Sequence, residues 1–254
     1  MPIVFNLNRY KILFAMRLLV SLIFSLFFII SIGISPQLLA QAQSSLEITP
    51  LELQNMVETR SLTTQRAINV EGSPYLFTDF YSGQISLKNG RITESMPLRY
   101  NSHEQTVEFM YNNNLFTLNS DVIQSFKFKV DEKVYEFRKG FETRRLSEDN
   151  FVQVLSEGRV TLLVRHSTSF FKDATSYGNA TRQDYYDSSE TYFIKVNDND
   201  PERLRNLRER GVMGFIDLHK DKVENFAKSN YIDFTNSADV AKLLNFYNSL
   251  FENN

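Results

Sequence analysis

The sequence predicts an α+β protein, mainly antiparallel β: a curved meander, or a sandwich- or barrel-like sheet of about nine strands, with a small C-terminal helical region. Three observations carry this. Apolar residues alternate with polar ones in short runs from about residue 84 to 196. Turn signals recur about every 11 residues between those runs. The last fifty residues change period, with Val240, Leu243, Leu244, Tyr247, Leu250 and Phe251 forming one helical stripe.

The chain divides into four segments: a secretory signal peptide over 1–42, a linker with a short helix over 43–71, an antiparallel β domain over 72–200, and a helical region packed on the sheet over 201–254. Arg9, Lys11 and Arg17 precede an apolar run from Leu18 to Ile34, and Pro36 breaks it ahead of Ala40-Gln41-Ala42. This is the layout of an exported chain cleaved between Ala42 and Gln43, with Met1 and Met16 both available as starts. The run is also near the short limit for a membrane span, roughly 17 to 25 residues, so an uncleaved segment would anchor the protein. Without residues 1–42, 212 residues remain, and the formal charge moves from −2 to −5 because three cations leave and no acid does. That charge, with no basic block, speaks against nucleic acid as a partner. Cysteine is absent, which excludes disulfides, thiolate metal sites and a thiol nucleophile.

Within the linker, Thr49-Pro50-Leu51-Glu52 reads as a capping box with proline at the first helical position, opening a helix to about Glu58. Ile85 and Leu87 alternate with Gln84, Ser86 and Lys88, and Asn89-Gly90 is the dipeptide for a type I′ hairpin. Met96, Leu98 and Tyr100 mark the return. Val107, Phe109 and Tyr111 follow, then Asn112-Asn113-Asn114 as a turn, then Phe116 and Leu118. Phe126, Phe128 and Val130 turn at Asp131-Glu132 into Tyr135 and Phe137. Val152 and Val154 turn at Glu157-Gly158 into Val160, Leu162 and Val164, and Tyr192, Ile194 and Val196 form the last clear strand. A sheet with one apolar face needs a cover, so the aromatics read as core and Gly83 and Gly90 as backbone devices. In the C-terminal region Asn236 or Ser237 caps the striped helix. Leu244 is expected on its buried stripe and Asn248 off it, where alanine would cost little.

The stretches GSPYLFTDFYSGQISLKNGR and MPLRYN, FVQVLSEGRVTLLVRH, YFIKVND and LLNFYNSL together resemble a family of uncharacterised exported proteins of Bacteroidetes-type bacteria, over about residues 72 to 250. The resemblance implies the periplasm or cell envelope of a Gram-negative cell. It carries no activity and no catalytic residue.

Chemical signatures are sparse. His103, His166 and His219 are the only histidines and none sits in H-E-x-x-H; the G-x-S-x-G elbow and the glycine-rich phosphate loops are missing. No cofactor and no metal are expected. Val196–Glu202, VNDNDPE, resembles a cadherin calcium linker or an EF-hand loop, but Lys195 replaces the leading acid of the first and Arg203 the glycine of the second, which leaves an Asx-rich turn. The longest stretch without periodicity, Lys172 to Ser189, reads as a long loop. Tyr177, Asp184, Tyr185, Tyr186 and Asp187 in it are the candidate ligand-binding residues, because tyrosines beside acids stack on a sugar ring or a peptide. The reading that results is an exported envelope protein that binds or scaffolds a partner, an envelope protein, a glycan or a peptide. The alternatives are an envelope hydrolase using an acid pair on polysaccharide or peptide, and a carrier holding an apolar ligand inside a curled barrel.

N-terminal sequencing of protein recovered from the envelope is expected to start at Gln43. Recovery of residues ahead of Leu18 would instead mean a retained, membrane-anchored segment.

Overall fold

The computed structural model describes residues 47–56, 60–61, 70–172 and 184–251. The sheet exceeds the nine expected strands, because short pieces outside the meander also join it. In chain order the strands are β1 (Glu47–Ile48), β2 (Arg60–Ser61), β3 (Val70–Glu71), β4 (Tyr81–Leu87), β5 (Ile92–Thr93), β6 (Met96–Asn101), β7 (Thr106–Tyr111), β8 (Asn114–Leu118), β9 (Ile123–Val130), β10 (Lys133–Arg138), β11 (Val152–Ser156), β12 (Val160–Phe171), β13 (Asp184–Val196) and β14 (Glu202–Leu204). The helices are α1 (Pro50–Met56), α2 (Glu209–Met213), α3 (Lys220–Ser229) and α4 (Ser237–Ser249). The strand order is β14-β13-β12-β11-β10-β9-β4-β6-β7-β8-β2, an open path, with β5 beside β4, β1 beside β5 and β3 on β13. Neighbours pair antiparallel, except β1 with β5 and β3 with β13. Among the described residues no helix is long and apolar enough to cross a membrane.

Local chemistry accounts for the ends of the elements. Thr49 and Glu52 cap α1 reciprocally: the Thr49 N–H donates to the Glu52 carboxylate (3.0 Å) and the Glu52 N–H to Thr49 Oγ1 (3.2 Å). Ile48 before the cap and Leu53 after it are both fully buried, the placing of a hydrophobic staple. The helix runs from Pro50 to Met56, and its expected end at Glu58 lies outside the described residues. Asn112 and Asn113 both take positive φ (50° and 60°) between the paired Tyr111 and Asn114, which is the type I′ geometry. At Asn89-Gly90 the expected type I′ turn is replaced. Only Gly90 is left-handed (φ 83°), its N–H donates to the Leu87 carbonyl, and the Leu87 N–H donates to Arg91, so the loop has three residues and a bulge. VNDNDPE is a turn, with Asn197 at φ 50° and its N–H on the Arg159 carbonyl.

One register row runs across the inner face of the sheet: Ile85, Phe126, Phe137, Gln153, Val164, Tyr192 and Leu204 are successive cross-strand partners. Around it lie two apolar clusters. The first joins Ile85, Leu98, Tyr100, Phe109, Phe126, Phe137 and Phe151 with Ile48 and Leu53. Its centre is aromatic: Phe126 and Phe137 stack at 4.7 Å, and Phe151 meets Phe126 edge-on at 5.0 Å. The second joins Val160, Leu162 and Ile194 to the helical stripe of Val240, Leu243, Leu244 and Tyr247, all four fully buried. On the outer face a smaller cluster, Leu146, Val152, Leu163 and Phe193, buries the other side of the same strands. The first half of β12 is therefore buried on both faces, which explains a run, Val160 to Val164, that is apolar but for Thr161.

A polar contact anchors the second layer. Asn248 of α4 is 4% exposed, its Oδ1 accepts from the Val160 N–H (2.9 Å), and its Nδ2 donates to the carbonyls of Glu157 (3.0 Å) and Val160 (2.9 Å). This overturns its expected place off the packed face: the amide fills the bend between β11 and β12. Gly158 (φ 146°) makes room, since a Cβ there would stand 2.6 Å from Asn248 Cγ. Nearby, Arg159 pairs with Asp217 (2.6 Å), which also accepts from the Tyr247 hydroxyl (2.5 Å).

Arg99, one of the arginines of the first hairpins, is structural as well. It lies opposite Glu108, pairs with that carboxylate at 2.6 Å, and is covered by the rings of Tyr75 (3.7 Å) and Phe80 (4.3 Å). Glu108, 2% exposed, also accepts from the Tyr75 hydroxyl (3.2 Å), and burial pushes that phenol up to about 12.

Leu244→Ala is expected to cost about 2 to 5 kcal/mol as a core truncation. Asn248→Ala is expected to cost about 2 to 4 kcal/mol, because it strands buried backbone groups at the bend. Denaturant unfolding checks both; an unchanged midpoint for Asn248→Ala would remove the clamp from the account of stability.

Candidate functional site: a polar cleft at the end of the long hairpin

The stretch read as a loop to Ser189 is a strand from Asp184 onward. β12 and β13 pair continuously from Val160 opposite Val196 to Phe171 opposite Tyr185. The polar composition misled the reading because this half of the hairpin rises out of the core, where a ladder needs no apolar periodicity.

Its inner face carries His166, Thr168 and Phe170 opposite Glu190, Ser188 and Tyr186. The β6–β7 turn bends back onto this face, with Gln105 at φ 56°. The Thr168 N–H donates to the Ser102 carbonyl (3.3 Å) and the Gln105 amide to the His166 carbonyl (3.2 Å), while His103 Nδ1 lies 2.9 Å from the Thr168 carbonyl. Hydroxyls then form a row, Ser102 to Thr168 at 2.7 Å and Thr168 to Ser188 at 3.0 Å. Between this turn, Tyr75 and Leu76 on one side and Ser188, Ser189 and Glu190 on the other, a cleft of about 280 Å³ opens.

At its floor His166 is 8% exposed, with Nε2 2.8 Å from Gln153 Oε1 and Nδ1 3.3 Å from Glu190 Oε1. Glu190 accepts from the Tyr192 hydroxyl with its other oxygen. The His166 hydrogen bond, helped by that of Tyr192, holds the Glu190 carboxyl down at about 2, and burial beside this carboxylate pushes the Tyr192 phenol up to about 12. Both nitrogens of His166 are engaged, one beside Gln153 and one beside Glu190, and neither reaches a serine hydroxyl among the described residues. The arrangement offers hydrogen-bond donors and acceptors along a wall, backed by a fixed carboxylate. Among the described residues no three His, Asp or Glu side chains converge as metal ligands.

The candidates named from sequence separate. Tyr177 lies outside the described residues. Tyr185 and Tyr186 point to opposite faces, since side chains alternate along a strand. Tyr185 stacks on Phe171 at 5.2 Å on the outer face, both rings 43% exposed, with Asp187 on the same side opposite Ser169. Tyr186 packs against Phe170 (5.0 Å) and His103 (5.5 Å) on the inner face. Asp184 and Tyr185 pair with Val70 and Glu71 of β3. Sequence reasoning passed over His166, Glu190 and Ser102, whose approach depends on register and on the turn folding back. The only available signal was the hydroxyl-rich run on both halves of one hairpin. A larger groove, about 480 Å³, lies among Met213, Ala227, Ile232 and Phe234 of the helical region. It has no comparable hydrogen-bonded network, and the polar cleft is the better candidate.

Glu190→Gln tests the floor. A carboxyl held below its ordinary value stabilises the fold above about pH 4.5 and loses that contribution as the pH falls toward 2. Wild type is expected to exceed the variant in stability at pH 7 by less than about 1 kcal/mol, because the side chain is half-exposed and screened. Urea midpoints should draw together as the pH falls below about 4.5 and converge only near pH 2; a gap unchanged with pH would deny Glu190 this role.

No family model, curated protein or solved structure matches the chain, so the chemistry of the cleft is read from its own geometry.

Proposed function

We propose that this is an exported protein of the Gram-negative cell envelope whose role is non-catalytic, binding or scaffolding a partner at the cleft between the β12–β13 hairpin and the β6–β7 turn. The observation that carries the reading is the row of hydroxyls Ser102, Thr168 and Ser188 beside the braced Glu190, on a strand left open toward solvent. Binding is favoured over acid-pair hydrolysis because Asp187 faces away from Glu190 across β13, while Glu190 is already held by His166 and Tyr192. It is favoured over carriage of an apolar ligand because the inner face is filled by Tyr100, Phe126, Phe137 and Phe151. Export rests on the charged and apolar N-terminal segment ending in Ala-Gln-Ala.

A photoreactive amino acid at Ser189, carried by the full chain in its cell of origin, tests this. The protein is expected in the envelope fraction, with cross-linked adducts from position 189, which lines the cleft, and none from Lys129 of β9, which does not. A cytoplasmic location, no adducts, or equal adducts at both positions would overturn the reading.

A further inference from the structure

We propose that the partner engages this site as an extended, basic polypeptide segment that adds a strand to the open edge of β13. The inference rests on the binding reading above and supplies the class of partner. The outer edge of β13 is occupied at two places: β3 pairs in parallel with Asp184 and Tyr185, and β14 pairs antiparallel with Tyr192, Phe193 and Ile194. After Glu71 the chain leaves the edge at Gly72 (φ 77°), where a Cβ would stand 2.6 Å from the Tyr186 carbonyl oxygen. From Asp187 to Thr191 the edge has no strand partner among the described residues. An extended strand bonds its neighbours with alternate backbone groups, so this notch presents unladdered N–H and C=O groups over about 17 Å.

Such an edge is a template for another strand unless it is blunted. Two features choose the occupant. The first is the surrounding charge. Asp187 and Glu190 sit in the notch, and Glu202 lies below it beside Arg203. An incoming strand with lysine or arginine on both faces matches this field. The second excludes a second copy of this chain. Antiparallel self-pairing would bring two copies of the same acidic edge, each with Asp187 and Glu190, against one another, and like charges on neighbouring strands oppose pairing. The hydroxyl row and the cleft lie beside the notch, so side chains on the inner side of the added strand reach Ser188 and Thr168.

The probe is the acetylated, amidated heptapeptide Lys-Thr-Val-Lys-Val-Thr-Lys, titrated against the full chain without its first 42 residues. Controls are the same peptide N-methylated at alternate residues and a version with glutamate for lysine. Saturable binding of the basic peptide is expected, weakened at least about tenfold by N-methylation, which removes the ladder donors, and lost with glutamate. Asp187→Lys, an exposed change outside the His166 network, should weaken it at least about fivefold with an unchanged melting temperature. Equal binding of the N-methylated peptide, or no binding of the basic peptide while position 189 still cross-links in cells, would overturn the strand-addition inference and leave the binding reading standing. Absence of cross-links would remove the reading itself.

Discussion

The seating of α4 on the sheet depends on one carboxamide. A helix laid on a sheet by apolar contacts alone can slide or rotate, because dispersion and burial are only weakly directional. Asn248 supplies direction: it meets three backbone groups at the β11–β12 bend, and those groups would otherwise be buried without partners. The bend accepts it because Gly158 has no side chain there. Since β12 starts at this bend, the same contact sets the origin of the hairpin whose far end carries the cleft.

From that origin the hairpin changes character along its length. Near Val160 it is buried on both faces, with Leu162 and Ile194 toward the helices and Leu163 and Phe193 toward the outer cluster. Past Arg165 the inner face turns polar and meets the β6–β7 turn. A strand gripped on both sides at one end makes a stiff mount for the other, which is what a binding surface requires if recognition is not to lose its gain in ordering. The seam between the two inner clusters falls at Gln153 and His166. Their mutual hydrogen bond lets a polar pair sit within an otherwise apolar row.

Charge pairs elsewhere join segments distant in sequence. Arg99 and Glu108 hold the crossing stretch Tyr75 to Phe80 against β6 and β7. Arg159, Asp217 and Tyr247 fasten the segment ahead of α3 to the hairpin bend and to α4. The Arg99 pair is the costlier to break, since Glu108 would be left almost without solvent. The Arg159 pair is open to water on the Asp217 side, and its value lies more in orientation than in energy.

The sequence by itself determined what is local. Alternation located the central strands, Asn112-Asn113-Asn114 a turn between two of them, Thr49 and Glu52 a cap, and the spacing of Val240 to Tyr247 a buried stripe. These follow from periodicity and from bonds between near neighbours, which a linear reading contains. What the tertiary structure alone decided is long-range: the burial of Asn248, the meeting of His166 with Gln153 and Glu190, the approach of Ser102 to Thr168, and the split of Tyr185 from Tyr186. The last was within reach, since adjacent residues of a strand face opposite ways, but it required knowing that the polar run was a strand. The candidate site was legible only in part, at its aromatic and acidic rim, while its floor was not. The floor brings together residues up to 66 positions apart, and which of them meet is set by strand register and by the curl of the sheet, both products of burying the apolar face.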